Sequence, residues 1–593
     1  MADSDGTNPL GVVDFLVFSS FLAVAAGTGL YYGIAKGGQQ TTNQYLLAER
    51  KMNFLPIAMT LLVSFLSPVT LLGLPAEVYK NGAYPLNFVF AKIPIFVTMA
   101  FIFIPVYYGL GITSVYEYLS RRFNFVLRIV GALIFMFQTL LYISIVTYAP
   151  ALAIEAVNGF AMWKTILITG SVCTFYSALG GMKAVIWTDV FMFVVIEITI
   201  ILILVMGSIE SGGIANVLRI NKDAGRLDIF SFPLDVTERI TTPSGFFGPL
   251  FNTLAQWSVS QTGVQRFLAA KSQKQAQTSA LINIPLTTVA GIVSVFEGLV
   301  MFAFYSGSLQ TLSGNGTYIP DANSNHSIIY HAPPNVTSND QILIYRVSQQ
   351  FGHIPGYQGL FIACIFAGSL STVSSGLNSL TAVTLVDIIK PWRHWRARRS
   401  YSPDTRQHEG RNDEEQDKRD TKLTKVLTVV YGIVCIGLAF LASKLGSLFS
   451  MTIAIFGALG GPLLGTFLLG MLYKRANSRG ALAAAIAGAS FRLWMVIGRF
   501  IHLNNLDEAF PLYRVSFLWY STFTLLVTLS VGITASEIIR LLFPGERTKT
   551  VDDLLLVTFL RKGSPPNSNI ISNDVEIELL PGPPGVINIK KAE

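Results

Sequence analysis

The chain has 593 residues, 51% of them hydrophobic and 13% charged, with a formal net charge of +8 and a mean hydropathy of +0.51. A soluble domain carries roughly 25% charged residues, so this composition points to a polytopic helical membrane protein. It also excludes a disordered chain, a collagen-like repeat and a secreted disulfide scaffold. The three cysteines, Cys173, Cys364 and Cys435, all fall inside apolar runs, which removes zinc-type clusters as well. The basic residues are spread along the loops between apolar runs, where membrane orientation requires them, and form no nucleic-acid patch.

Runs long enough to cross about 30 Å of hydrocarbon are predicted at 12–34, 54–78, 86–110, 123–157, 162–179, 189–206, 246–264, 280–305, 357–389, 423–445, 448–472, 481–501 and 515–543, thirteen spans in all. Asp3 and Asp5 precede the first run and Lys36 is the first basic residue, so it reads as a retained span with its N-terminus outside rather than a cleaved signal. Residues 1–544 then form one transmembrane domain.

Two features agree on the orientation. The basic clusters Arg50-Lys51, Arg121-Arg122, Lys183, Arg266 to Lys274 and Lys474-Arg475-Arg479 follow odd-numbered spans, which makes those loops cytoplasmic. The loop at 307–353 carries three glycosylation sequons, at Asn315, Asn325 and Asn335, and glycans are added on the lumenal side. The charge-dense stretch 390–422 and the proline-containing tail 545–593 fall inside and read as disordered on composition.

Secondary transporters contain inverted repeats whose first helices break at the bilayer midplane. The second span holds Ser64, Ser67, Pro68, Thr70 and Gly73, and Pro68 removes a backbone donor in mid-membrane. Five spans later the seventh holds Trp257, Ser260, Gln261, Thr262 and Gly263, a polar interruption with a glycine. That offset is what two five-helix inverted repeats produce, at about 54–208 and 246–472, with one span before the core and two after it.

The ninth span carries a dense hydroxyl run from Gly368 to Ser379. Gly368, Ser371 and Thr372 share one helix face at i, i+3 and i+4. With carbonyls freed by the broken second span they supply about five oxygens, a neutral cage suited to a monovalent cation, sodium being the sensible occupant. Asp189 would attract cations leaving such a site, or serve as an acid at a helix N-terminus. Glu197 and Glu297 lie deeper and are expected to be protonated or paired with Arg492 or Arg499.

At these motifs the sequence resembles the sodium/solute symporter family, in its branch of sodium-coupled monocarboxylate, multivitamin and iodide transporters. The resemblance runs from Tyr45-Leu-Leu-Ala-Glu-Arg to Gly461-Pro-Leu-Leu-Gly-Thr. Its most specific pieces are Leu74-Pro-Ala-Glu-Val-Tyr, Thr113-Ser-Val-Tyr-Glu-Tyr-Leu, Tyr176 to Phe191, Val264-Gln-Arg and Gly368 to Ser379. It implies an all-α, LeuT-like inverted-repeat fold and alternating access driven by the sodium gradient. It implies a sodium site on the carbonyls of Val63, Leu66 and Gly368 and the hydroxyls of Ser371 and Thr372. The substrate cavity, and any second sodium, would lie near Ser67, Thr70, Tyr142 and Ser260. Members of this branch commonly have Ala at the position of Pro68, an amide or other polar residue at Thr70 and Asn at Ser260, so the substrate pocket is altered.

The function expected is a plasma-membrane symporter that imports a small organic anion, a monocarboxylate or vitamin carboxylate, with sodium as coupling ion and no other cofactor. Its partners are sodium, the anion and the lipid bilayer, with no nucleic acid. An iodide or polyol transporter and a sodium-binding sensor or channel are the alternatives. No nucleophile-base pair or phosphate loop suggests an enzyme.

Overall fold

The computed structural model describes residues 10–35, 40–158, 160–233, 235–238, 240–312, 339–399, 409–442, 448–502, 509–543 and 551–557. The sequons at Asn315, Asn325 and Asn335 lie outside the described residues.

The chain is built from helices: α1 (Val12–Leu30), the short α2 (Thr42–Leu47), α3 (Phe54–Phe65), α4 (Pro68–Asn81), α5 (Tyr84–Leu110), α6 (Glu117–Arg122), α7 (Phe125–Asn158), α8 (Met162–Glu210), α9 (Ile214–Asp223) and α10 (Thr242–Ser258). There follow α11 (Gln261–Leu268), α12 (Gln273–Leu312), α13 (Ile342–Phe351), α14 (Tyr357–Val383), α15 (Lys390–Arg399), α16 (Glu409–Ala442), α17 (Leu448–Leu472), α18 (Ser478–Ile501) and α19 (Trp519–Leu542). Among the described residues nine helices are long and apolar enough to cross a membrane, and the bent pair α3–α4 makes a tenth. This differs from the thirteen runs of the sequence at the eleventh, where only Gly460–Leu472 of α17 is counted, as a shorter apolar helix, and at two further places for physical reasons. The 49-residue α8 covers both the fifth and the sixth run, its backbone leaving helical geometry at Gly181 (φ 55°, ψ −162°), where a side chain would be strained. The seventh run is split into α10 and the eight-residue α11, neither of which crosses alone.

Burial sorts the helices. The apolar window of the helix beginning at Tyr357 is 94% buried, against 22% for those of α1 and α19. A helix apolar all round and enclosed by others forms the centre, so α14 is the axis of the bundle and α1 and α19 present Val12, Leu16, Ile538 and Leu541 to the surrounding hydrocarbon.

Two segments expected to be unstructured are partly ordered, and the loop 307–353 carries a helix. In 390–422, α15 and the start of α16 dock onto the bundle: Arg393 hydrogen-bonds Asp420, Lys390 Nζ lies 3.6 Å from the same carboxylate, and Thr42 Oγ1 donates to Asp417 Oδ1 at 2.6 Å. In the tail, Leu556 and Val557 are buried, and Tyr118 Oη donates to the Leu555 carbonyl at 3.2 Å. The loop 307–353 contains α13, with Ile342, Arg346 and Phe351 buried. Composition registers charge and proline, but each of these contacts joins residues far apart in the chain.

Candidate functional site

The second span breaks where its proline predicts. α3 ends at Phe65, Leu66 turns out of the helix (φ −81°, ψ 51°), and Ser67 is extended (φ −65°, ψ 162°) ahead of Pro68 at the first position of α4. Proline is suited to that position because its missing N–H has no intrahelical partner to lose. The two halves meet at 53°. The seventh span breaks the same way: Val259 leaves helical geometry and Ser260 is extended (φ −92°, ψ 134°) before α11 begins. Gly263 is needed there, because a Cβ would come within 2.5 Å of the Trp257 carbonyl. The start of α10 is held by a reciprocal cap, Thr241 Oγ1 accepting from Ser244 N and Ser244 Oγ from Thr241 N.

α14 packs directly on the first break. A Cβ on Gly368 would stand 2.6 Å from the Leu66 carbonyl oxygen, so only glycine allows the helix this close to the exposed backbone. Val63, Leu66, Ser371 and Thr372 are all buried, and Thr372 Oγ1 donates to the Gly368 carbonyl at 2.8 Å. That bond uses one lone pair of the Gly368 oxygen and leaves the oxygens of both groups able to coordinate a cation. The structure therefore brings Gly368 against Leu66 at the break in α3–α4, with Thr372 bonded to Gly368 and Ser371 on the same helix face.

Ser371 faces Asp189 of α8. This acid is buried eight residues beyond Gly181, well past the first turn in which a helix dipole acts. Thr60 Oγ1 donates to Asp189 Oδ2, and Arg266 Nη2 lies 3.7 Å from the same oxygen. Arg266, read from sequence as a cytoplasmic loop residue, is instead fully buried on α11. Its guanidinium donates to Thr60 Oγ1 at 3.0 Å, to the Thr262 carbonyl at 2.8 Å and to the hydroxyls of Ser64 and Ser375. One side chain thereby joins α3, α8, α11 and α14.

The neighbouring glutamines complete the clamp. Gln261 Nε2 donates to the Thr113 carbonyl and its Oε1 accepts from Val115 N, both at 2.9 Å, while Gln265 Nε2 donates to the Leu46 carbonyl at 2.6 Å. Ser114 hydrogen-bonds Asp387, which pairs with Arg128 at 2.7 Å. These residues were visible only as motif letters. The signal that could have found Arg266 was its place only two residues past the predicted end of the seventh span at 264, since intramembrane charges are functional candidates by default.

The four residues expected at the substrate are not gathered equally. Ser67 faces Tyr142, and Ser260 marks the second break. Thr70 Oγ1 donates to the Phe65 carbonyl at 2.9 Å and lines a cavity of about 130 Å³ together with Lys92, Asn252, Thr253 and Ser521. Ser67, Tyr142 and Ser260 do not line it. Glu297 is not paired with Arg492 or Arg499. The charged groups facing it are Arg346 and Glu197, whereas Arg492 lies 3.7 Å from the Tyr520 ring centre and Arg499 bonds the Val515 carbonyl at 3.1 Å.

Apolar helices, two of them broken in mid-span and closed by a buried ion pair, define a multi-pass membrane transporter, not an enzyme. Comparison with known proteins agrees. Residues 45–488 match the sodium:solute symporter family. The chain is 36% identical to human (Homo sapiens) sodium-coupled monocarboxylate transporter 1, over 93% of this chain and 90% of that protein. It is 34% identical to the sodium-dependent multivitamin transporter of Oryctolagus cuniculus, over 90% and 84%. Among solved structures, a Na+-coupled sialic acid symporter in a substrate-bound outward-open state superposes with a TM-score of 0.72 at 24% identity, covering 89% of this chain and 98% of that one. The chain belongs to the sodium:solute symporter family.

Proposed function

We propose that the protein imports a small organic anion, a monocarboxylate or vitamin carboxylate, across the plasma membrane in symport with sodium. The observation that carries the reading is the approach of α14 to the break in α3–α4, which puts Gly368 beside the Leu66 carbonyl with Ser371 and Thr372 one helical turn further along, Thr372 bonded to the Gly368 carbonyl. Sodium is held by the carbonyls of Val63, Leu66 and Gly368 and the hydroxyls of Ser371 and Thr372. Asp189, beside Ser371, receives the ion as it leaves. The likeness in sequence to a monocarboxylate and a multivitamin transporter supports the substrate class.

The domain spans 1–544 as thirteen helices, two inverted five-helix repeats with one helix before and two after. The N-terminus is outside, the C-terminus inside, and the loop 307–353 is glycosylated. The splitting of α8 at Gly181 and the pairing of α10 with α11 across a break support that count. Alternating access then rocks the repeats around the two breaks. At about 100 mV each sodium charge moving inward contributes about 2.3 kcal/mol, so two ions per monoanion would concentrate the anion strongly. Uptake of labelled butyrate, lactate, nicotinate, biotin and iodide in sodium medium, repeated with choline in place of sodium, tests the reading. Carboxylate uptake that disappears in choline is expected. Uptake indifferent to sodium, or confined to iodide, overturns it.

A further inference from the structure

We infer that Lys92 is the residue that receives the substrate's carboxylate, and that the cavity it lines is the substrate's binding chamber. This rests on the reading of the protein as an organic-anion symporter and adds to it a charged recognition group outside the expected substrate set.

Lys92 lies on α5, within the third apolar run, and its side chain is 95% buried. Its ammonium stands 3.5 Å from the centre of the Phe65 ring, at the last residue of α3 before the break. Among the described residues no carboxylate comes within ion-pair distance of it and no hydrogen bond is made to it. Two other cations at the heart of the bundle are matched, Arg266 by Asp189 and Arg128 by Asp387, and Arg122 donates to the carbonyls of Gly470, Tyr473 and Ala476 instead. An ammonium withdrawn from water without a counter-ion is unfavourable, and a cation–π contact returns only part of its hydration. A buried amine that lacks its own anion is arranged to be completed by an anion that arrives.

The chamber fits that occupant. Lys92 is the one formal charge on its wall, and the other polar groups, Thr70, Asn252, Thr253 and Ser521, are neutral hydrogen-bonding side chains. The remaining lining is apolar, including Leu74, Phe88 and Phe517. A wall with one cation, a few hydroxyls and an amide, and otherwise hydrocarbon surface, suits a carboxylate on a short apolar skeleton. A polyol would need hydrogen-bonding partners on every side. The volume of about 130 Å³ is small beside the roughly 300–1,000 Å³ of drug-sized pockets. The chamber also adjoins the broken helix through Phe65 and Thr70, whose side chain caps the Phe65 carbonyl at 2.9 Å. An anion seated on Lys92 therefore adjoins the same break that packs on Gly368.

The test measures sodium-dependent uptake of labelled butyrate, lactate and nicotinate by the full chain and by Lys92→Met, Lys92→Gln and Lys92→Arg, normalised to protein at the cell surface. For the best substrate, competition by the unlabelled acid is compared with competition by its uncharged amide. The wild type is expected to prefer acid over amide by at least tenfold. Lys92→Met and Lys92→Gln should raise the half-saturating acid concentration at least tenfold and abolish the preference, leaving sodium dependence in place, while Lys92→Arg keeps the preference. Neutral variants that retain both affinity and preference overturn the assignment of Lys92 while the symport reading stands. A wild type that takes up none of the carboxylates overturns the symport reading itself. A purely structural lysine would change the amount of protein at the surface without changing the acid-to-amide ratio.

Discussion

Asp189 Oδ2 lies 3.7 Å from Arg266 Nη2, both side chains are buried, and the same guanidinium holds Ser64 of α3 and Ser375 of α14. The pair thus fastens one half of the first broken helix to α8, α11 and the central α14. Any motion that opens the bundle between those helices must separate these groups or carry them as a unit.

Removing one partner leaves the other as an uncompensated buried charge, at a cost of about 3–5 kcal/mol. Arg266→Gln alone and Asp189→Asn alone should each lower the surface amount and the melting temperature in detergent. The double variant should recover part of both. Losses that simply add in the double variant would show that the two side chains act independently.

The proposed sodium ligands make a second prediction. Ser371→Ala with Thr372→Ala removes two oxygens, worth about 1 kcal/mol each, and should raise the sodium concentration for half-maximal uptake at least several-fold. Surface biotinylation separates this from a trafficking defect. An unchanged sodium dependence in protein at the surface refutes the site.

Gly368 supplies a steric prediction. Gly368→Ala puts a methyl group 2.6 Å from the Leu66 carbonyl oxygen, a backbone atom that moves only if the break moves. Transport per surface molecule should fall at least tenfold. Gly437→Ala is the control, since a Cβ there meets nothing within 4 Å, and it should transport as the wild type does. Equal activity of the two variants would mean that α14 does not press on the break during the cycle.

The loop orientation is tested by Asn315→Gln, Asn325→Gln and Asn335→Gln together. The wild type should migrate faster on gels after glycosidase treatment and the triple variant should not. A shift that persists in the triple variant contradicts the proposed sidedness.

What could be read from the sequence divides along physical lines. The break at Pro68 was legible because proline acts on the backbone of its own neighbourhood, and the Gly368–Thr372 face was legible because helical spacing is local. Arg266 was not: four of its partners, Thr60, Ser64, Asp189 and Ser375, come from three other helices, and a basic residue near the end of a span looks like a topology signal. Lys92 was passed over although a lone lysine inside an apolar run is a recognised warning, because its meaning depends on the absence of a nearby carboxylate, which only packing reveals. The docking of Asp420 and of Leu555 to Val557 was hidden for the same reason: composition alone carries no information about a partner remote in the chain.

The most direct measurement of the central claim is simultaneous uptake of labelled sodium and a labelled short carboxylate in voltage-clamped oocytes expressing the protein. Coupled symport predicts that the two fluxes rise together in a fixed ratio, that each vanishes when the other solute is withheld, and that hyperpolarisation accelerates both if sodium charge exceeds anion charge. A sodium current that runs without carboxylate flux would instead make the protein a sodium-binding channel or sensor, and would contradict the account.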